Sequence, residues 1–340
     1  QAAHVDRGDE GRRLVGRQPP LRPPDRGHGE EPRIDPAEQQ RPLERHPERG
    51  EGEPILVRAH GLVLAREGVE VTISEKEAKG GGLMTYGIAA YKVTPEFCEE
   101  EVNYILSIGG ISIKYNQELG KDITLEQLQK GYDAVYLAFG VGLARQLEIP
   151  GEELSGVEDA ISFIYDIRTK GFDQVAVGDK VVVIGMGMTA IDAATQAKRL
   201  GAKQVTMLYR RTKEEMPCTQ HELDIAMLDG CEVIWLAAPK ELKGTDGKLT
   251  HIVCDVMQLG EPDVSGRRSP VATGDSFTLE TDMVIKAAGQ MPYAALVGAS
   301  GLENKNGKIQ LAGLYQFNQC SQCCRCHREL IKPTTILIQV

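Results

Sequence analysis

One stretch near the middle of the chain constrains the fold more than any other feature. The run KVVVI at 180–184 is almost wholly apolar, as expected of a strand that is buried on both faces of a sheet. A glycine-rich turn follows, then a helix predicted over 189–200 and a second strand predicted over 205–209 (VTMLY). Strand, turn, helix and strand in this order form a βαβ unit with a parallel sheet. The pattern therefore predicts an α/β fold.

The turn between the first strand and the helix has the spacing G-x-G-x-x-A. Its small residues are Gly185, Gly187 and Ala190, with Met188 and Thr189 at the start of the helix. In such a turn the first glycine makes the bend, the second lets backbone approach a pyrophosphate, and the third small residue lets helix and strand pack closely. The helix N-terminus then offers free N–H groups to phosphate oxygens. The motif predicts a dinucleotide site, and a purely structural turn is the alternative.

The residues that follow the second strand predict which nicotinamide cofactor is used. An acid at this position would bind the ribose 2′-hydroxyl of NAD, but the chain has Arg210 and Arg211. Because arginine pairs with phosphate in a bidentate manner, the pair favours the 2′-phosphate of NADP(H). The alternative is a solvated arginine pair in a protein that accepts NAD(H).

A weaker signal lies closer to the N-terminus. The run VEVTIS at 69–74 predicts a strand that ends in Glu75, and Gly81, Gly82 and Leu83 follow in a predicted loop. A strand-end acid is typical of a ribose-binding residue in a second dinucleotide unit. However, no G-x-G-x-x-G occurs between residues 1 and 75, so a solvated acid is an equal alternative on the residues alone.

Other periodic segments complete the predicted elements. Two strands end in small residues, at Ala138-Phe139-Gly140 and at Ala287-Ala288-Gly289, which permits a ligand to approach the edge of a sheet. The remaining predictions are helices over 95–108, 125–130 and 160–167, and strands over 111–115, 134–139, 231–236, 248–259, 276–279 and 283–287, of which 248–259 and 276–279 are antiparallel.

Composition excludes several functional classes. A length of 340 residues predicts two domains, and no apolar run is long enough to span a membrane. The net charge of −10 argues against nucleic acid as a partner. Scattered cysteines without an export signal indicate a cytoplasmic protein. The cluster C-x2-C-C-x-C-H at 320–327 fits neither a zinc knuckle nor an iron–sulfur motif, so we predict no metal site.

The first 53 residues differ sharply from the rest of the chain. They contain 10 Arg and 8 Pro but no Lys, Ser, Thr, Asn, Cys, Met, Phe, Tyr or Trp. A segment so poor in large apolar side chains does not bury enough surface to offset its ordering entropy. We expect 1–53 to be a disordered tail, a linker, or sequence translated from a wrong frame.

Between Leu64 and Ile309 the chain resembles a family of flavoproteins with two dinucleotide-binding domains. The resemblance is carried by EGVEVTISE, GGLMTYGIAAYKV, YDAVYLAFGVG, IPGE, VVVIGMGMTAIDAATQAKRLGA and VTMLYRR. This part of the chain is similar to the NAD(P)H- and FAD-binding portion of dihydropyrimidine dehydrogenase and, at slightly greater distance, to the small chain of glutamate synthase. This implies two Rossmann-like domains, with an NAD(P)H-binding domain at 150–285 inserted into an FAD-binding domain at 54–149 and 286–318. The segment 319–340 matches nothing in the family and is expected to be an aberrant tail.

The resemblance also implies site residues and an activity. By resemblance, the FAD site of this chain is formed by Glu75, Gly82, Leu83 and Lys92. The NADP(H) site is likewise implied at Gly187, Met188, Thr189, Ala190, Arg210, Arg211, Ala287, Ala288 and Gly289. The implied reaction is hydride transfer from NADPH to FAD, with electrons then passing to a partner subunit that carries the terminal reduction site. No side chain is expected to act as a catalytic acid or base, and the iron–sulfur clusters of the family are not expected in this chain.

One element of the family is missing from the sequence. The glycine turn that would hold the FAD pyrophosphate should lie just before Leu64, where the chain has no such motif. We therefore expect this chain to bind NADP(H) better than FAD. A nucleotide-binding module without activity is the alternative of a different class.

Overall fold

The computed structural model describes residues 61–264, 266–302, 304–305 and 308–309, together with the backbone of 334–339. The predictions for 1–53 and for the cysteine cluster at 320–327 lie outside this range. Within it, the strands form two parallel sheets and one antiparallel sheet, besides two short strand pairs.

The predicted βαβ unit lies at the centre of a five-stranded parallel sheet. Its strands are ordered β5-β12-β6-β7-β8, and their bounds are β5 (Val157–Asp159), β6 (Lys180–Ile184), β7 (Gln204–Tyr209), β8 (Glu232–Trp235) and β12 (Met283–Lys286). Three helices accompany them: α5 (Ala160–Lys170), α6 (Met188–Arg199) and α7 (Gln220–Leu228). The predicted α/β class and the predicted parallel sheet are confirmed.

Helix α6 packs on this sheet through alanines. Ala190, Ala193, Ala194 and Ala197 are all fully buried in one core with Val183 and other residues of the strands. Small side chains on this face allow the helix axis to approach the strands closely, as the third residue of the glycine motif requires.

A four-stranded parallel sheet is built from both ends of the described chain. Its order is β2-β1-β16-β3, with β1 (Glu70–Glu75), β2 (Ile111–Lys114), β3 (Ala134–Leu137) and β16 (Thr334–Gln339). The helices that precede or follow these strands are α1 (61–66), α2 (Leu83–Tyr86), α3 (Pro95–Leu106) and α4 (Leu125–Gly131). The backbone of 334–339, within the segment expected to be a tail, thus pairs with both β1 and β3.

An antiparallel sheet lies between β8 and β12 along the chain. It consists of β9 (Ala237–Thr245), β10 (Lys248–Pro262) and β11 (Arg268–Glu280), in the order β11-β10-β9. The antiparallel pairing of the segments around 248–259 and 276–279 was predicted, but β9 was not. Its sequence contains Pro239 and Gly244, which weaken a strand pattern, and only the pairing with β10 extends the backbone there.

The chain returns from the five-stranded sheet to the region of the first sheet. Short strand β13 (Gln290–Met291) pairs with β4 (Leu143–Ala144), which follows β3 in the sequence. Helix α8 (Ala294–Ala299) and the hairpin of β14 (Asn304–Lys305) and β15 (Lys308–Ile309) follow. The segment that contains the five-stranded sheet therefore begins after β4 and ends before β13, and these two short strands pair with each other.

The motif IPGE lies where the chain enters the five-stranded sheet, and its glutamate is held by a buried lysine. The Glu152 carboxylate accepts hydrogen bonds from Leu147 N–H (3.1 Å), Ile149 N–H (3.0 Å) and the Lys286 ammonium (2.9 Å). Lys286 is 7% exposed and also donates to the side-chain oxygen of Gln146. Burial acts to raise the pKa of Glu152, but these donors outweigh it and the pKa lies below its ordinary value.

We expect Glu152→Gln to lower the free energy of unfolding by about 3 kcal/mol, because it leaves the Lys286 ammonium buried without its counter-charge. Urea unfolding at neutral pH measures the change. The control is Glu126→Gln, which breaks an exposed pair with Lys130 on α4 and should cost less than about 0.5 kcal/mol. Equal effects of the two substitutions would contradict the structural role of Glu152.

Candidate functional site

The glycine turn after β6 is shaped by close contact with the neighbouring strand. Gly185 has φ of +134°, and a Cβ built there would lie 2.5 Å from the backbone oxygen of Ala287. Its N–H donates to the carbonyl of Leu208, while Ala287 N–H donates to the carbonyl of Ile184. Only glycine fits this position, since a side chain would meet backbone on the next strand.

The second glycine of the motif faces open space. A Cβ on Gly187 would meet no atom within 4 Å, although its φ of −85° is accessible to any residue. Gly187 is the N-cap of α6, Met188 is exposed, and Ala190 is buried against the sheet. The turn therefore presents the N-terminus of a twelve-residue helix beside the open space at Gly187, an arrangement that suits a phosphate.

The carboxyl ends of three strands meet beside this turn. Ile184, Leu208 and Lys286 lie level in the register of β6, β7 and β12. The residues that follow each of them are the predicted site residues: Gly185–Ala190, Arg210 and Arg211, and Ala287–Gly289. The structure thus brings the three predicted groups for the nicotinamide cofactor to one edge.

The two arginines after β7 differ in exposure. Arg210 is exposed, whereas Arg211 is 9% exposed and its Nε atom has no hydrogen-bond partner among the described residues. A buried guanidinium group without a partner carries a desolvation cost that a bound anion would remove. Arg211 follows β7 at the same edge of the sheet as the glycine turn that follows β6.

A second site is a cavity of about 290 Å³ at the carboxyl edge of the four-stranded sheet. Glu75, Gly82 and Leu83 line it, together with Gly140 and Tyr293. Gly82 has φ of +53° and ψ of −128°, a conformation that favours glycine, and it is the N-cap of α2. Three of the four residues predicted for the FAD site therefore share one cavity, and so do residues 138–140, which directly follow β3.

Burial changes the acidity of Glu75. The residue is 3% exposed, and its carboxylate accepts a hydrogen bond from Glu77 N–H at 3.1 Å. Loss of solvation dominates and raises the pKa of Glu75 to about 7. A solvated strand-end acid, the alternative left open above, does not match this burial.

Lys92, the fourth residue predicted for the FAD site, does not line this cavity. Its ammonium group lies 2.5 Å from Asp192 on α6 and 2.5 Å from Glu222 on α7. The sequence analysis did not single out either acid. Asp192 carried a usable signal, since it is a charged residue on the otherwise alanine-rich buried face of a predicted helix. Glu222 carried another, since Thr219 three residues earlier caps the N-terminus of α7.

A larger cavity of about 510 Å³ adjoins the first and is lined by residues of α3 and α5. Its lining includes Lys79, Cys98 and Arg168. The stacked rings of Tyr86 and Tyr165, 5.5 Å apart, contribute to both cavities. The Tyr165 hydroxyl donates to Glu77, and burial together with this bond raises the pKa of Tyr165 to about 12.

The family described as pyridine nucleotide-disulphide oxidoreductase matches residues 59–320. This chain belongs to that family.

Two named enzyme subunits are similar to this chain over more than two thirds of its length. The chain is 38% identical over 244 residues to NADPH-Fe(3+) oxidoreductase subunit beta of Geobacter sulfurreducens, which covers 69% of this chain and 35% of that one. It is 35% identical over 247 residues to the glutamate synthase [NADPH] small chain of Azospirillum brasilense. This match covers 68% of this chain and 51% of the relative. The chain thus spans about a third to a half of the length of these relatives.

Solved structures with the same fold include Mycobacterium tuberculosis FprA in complex with NADPH. It matches with a TM-score of 0.63 at 22% identity, covering 78% of this chain and 74% of that one. The predicted fold class and the predicted oxidoreductase class are confirmed by the family. The resemblance to the glutamate synthase small chain is confirmed as well, whereas the dihydropyrimidine dehydrogenase branch stays a prediction.

In this pyridine nucleotide-disulphide oxidoreductase the described residues hold no group of three His, Cys, Asp or Glu arranged for a metal ion. The four cysteines within the described range are free thiols and buried. Over that range, too, no helix is both long and apolar enough to cross a membrane.

The raised pKa of Glu75 predicts a pH-dependent stability. Between pH 4.5 and about 7 the folded chain binds a proton at Glu75 that the unfolded chain has lost. The free energy of unfolding should therefore fall as pH rises through this window, by at most about 3 kcal/mol. Glu75→Gln should remove this fall, whereas Glu70→Gln, at an exposed position of the same strand, should keep it. Urea unfolding of nucleotide-free protein from pH 4.5 to 8 measures both, and identical profiles for wild type and Glu75→Gln would contradict the assignment.

Proposed function

We propose that this chain is the nucleotide-binding electron-transfer subunit of an NADPH-dependent oxidoreductase, in which NADPH passes a hydride to FAD. One observation carries the proposal: residues 287–290 connect the two candidate sites directly. Ala287 is hydrogen-bonded beside the glycine turn, and Gln290, three residues later, lines the Glu75 cavity. Two nucleotides bound at these sites would approach each other along this short segment.

The residues of the first site fit NADP(H). The glycine turn and the N-terminus of α6 would hold the pyrophosphate, and the open space at Gly187 leaves room for it. Arg211, with its unpartnered Nε, and the exposed Arg210 would hold the 2′-phosphate. FprA, a neighbour in fold, has been solved in complex with NADPH, and both relatives described above carry NADPH in their names.

The residues of the second site fit a flavin nucleotide. Glu75, protonated or ionised near neutral pH, would accept hydrogen bonds from ribose hydroxyls, and Gly82, which has no side chain, would let a ligand approach its backbone closely. Phe139 and Tyr293, which meet edge to face, give the cavity an apolar wall. When bound, FAD would supply the step from two-electron hydride chemistry to single-electron transfer. The chain itself supplies binding, orientation and electrostatics.

The electrons would leave through a partner subunit that carries the terminal reduction site. The relatives are named as a subunit beta and a small chain, which supports a role within a larger enzyme. The larger enzyme is either of the dihydropyrimidine dehydrogenase type or of the glutamate synthase type. The sequence MTAIDAATQAKRLGA, which covers α6 and the residues after it, favours the first. A nucleotide-binding module without activity remains the competing class.

NADPH oxidation with an artificial electron acceptor, in the presence of added FAD, tests the proposal. We expect FAD-dependent turnover in the wild type and at least a tenfold loss in Gly187→Ala, because the added Cβ would enter the space left for phosphate. Since that Cβ meets no protein atom, the variant should unfold like the wild type, which urea titration checks. Tight NADPH binding without any turnover would favour the nucleotide-binding module without activity. Absorbance near 450 nm reports how much flavin the purified chain retains.

The arginine pair predicts cofactor preference. Arg211→Ala should weaken NADPH binding at least tenfold and leave NADH binding nearly unchanged, because only NADPH has the 2′-phosphate to pair with it. Fluorescence titration with each nucleotide measures the two dissociation constants. Arg66→Ala, at an exposed position of α1, serves as the control. Equal loss for NADH and NADPH would show that Arg211 does not recognise the 2′-phosphate.

A further inference from the structure

A segment that lines the Glu75 cavity is held from outside by helices of the five-stranded sheet. This bridging segment, residues 82–93, starts with Gly82 and Leu83 in the cavity wall and continues to the N-terminus of α3. One guanidinium group, that of Arg168 on α5, binds it near both ends. Its Nε donates to the carbonyl of Thr85 at 2.7 Å, and its Nη1 donates to the carbonyl of Val93 at 2.6 Å.

The middle of the bridging segment is held by α6. Asp192 Oδ2 accepts a hydrogen bond from Ala89 N–H at 3.0 Å, and Gln196 Oε1 accepts one from Ala90 N–H at 3.3 Å. Asp192 Oδ1 lies 2.5 Å from the Lys92 ammonium, whose second acid is Glu222. One carboxylate thus fixes both the backbone and the charged side chain of the segment.

The position of Asp192 links these contacts to the other site. It lies four residues after Met188, the first residue of α6, and hence one turn along the same face from the end that faces the glycine turn. Asp192 is 4% exposed, and a carboxylate buried to this degree is stable only when it is paired and hydrogen-bonded. A change in the position of α6 is therefore transmitted to both Ala89 and Lys92 by one buried carboxylate, beside the contact of Gln196 with Ala90.

We propose that Asp192 is a positioning residue that couples the two nucleotide sites. A dinucleotide that orders the N-terminus of α6 also orders the bridging segment, and so strengthens binding in the Glu75 cavity; the converse holds by thermodynamic reciprocity. The inference rests on the proposed function, because it takes NADP(H) at the glycine turn and FAD in the Glu75 cavity. The new element is that NADP(H) and FAD bind cooperatively, with Asp192 as the residue that couples them.

The decisive experiment measures FAD binding to the full chain by fluorescence titration, with and without saturating NADP⁺. In the wild type we expect NADP⁺ to lower the dissociation constant of FAD about tenfold, within the usual range of coupling between sites. In Asp192→Ala this factor should fall to nearly one. Asp192→Asn keeps the size and an acceptor for Ala89 N–H but loses the charge that faces Lys92, so its factor should lie between the two.

A second readout needs no flavin. Amide hydrogen exchange of residues 87–93 should slow when NADP⁺ alone is added to the wild type, and should not respond in Asp192→Ala. The matched control is Asp224→Ala on α7, an exposed acid whose partner is Gln220 of the same helix. Its coupling factor and its exchange response should equal those of the wild type.

The outcomes separate the two proposals. If FAD or NADP⁺ fails to bind the wild type, the proposed function and this inference are both overturned. If both bind but the wild-type factor is one, or if Asp192→Ala and Asp192→Asn keep the tenfold factor, the coupling alone is overturned. Should Asp192→Ala fail to fold, the wild type and Asp192→Asn still decide the matter.

Discussion

The close approach of β12 to the end of β6 sets the geometry on which the rest of this structure depends. The carbonyl of Ala287 occupies the space that a side chain at position 185 would need, and Ala287 N–H binds the carbonyl of Ile184. Because these backbones touch, the glycine turn, the start of α6 and the segment after β12 are fixed relative to one another. The candidate nicotinamide site is the edge that this contact creates.

The same contact brings the second candidate site within reach. From Ala287 the chain needs only three residues to arrive at Gln290 in the wall of the Glu75 cavity, and β13 then pairs with β4. Polar side chains of α5 and α6, among them the buried Asp192, hold the bridging segment. Two sheets with separate cores are therefore joined by directional hydrogen bonds and ion pairs rather than by a single apolar core. Such joints fix orientation strongly, because each buried charge left without its partner is costly.

Local sequence pattern predicted the central βαβ unit well and the edges of the fold less well. The apolar run of β6, the glycine spacing and the alanines of α6 all favour the same structure, so local and global preferences agree there. Strand β9 was missed because Pro239 and Gly244 oppose a strand locally, and pairing with β10 overrides them. Of the site residues, the glycines of the turn and the two arginines were predictable because one βαβ pattern orders them within the 27 residues from Gly185 to Arg211.

Lys92, Asp192 and Glu222 illustrate what such a motif does not contain. Their separations in sequence are 100 and 30 residues, and no local pattern relates them before the chain folds. The sequence by itself determined the parallel α/β unit and its glycine turn, and it predicted a 2′-phosphate ligand from the arginine pair, since each depends on neighbouring residues and their stereochemistry. Only the tertiary structure decided that Glu75 is buried with a raised pKa and that Lys92 turns away from the cavity toward α6, because burial and charge pairing depend on which distant segments pack together.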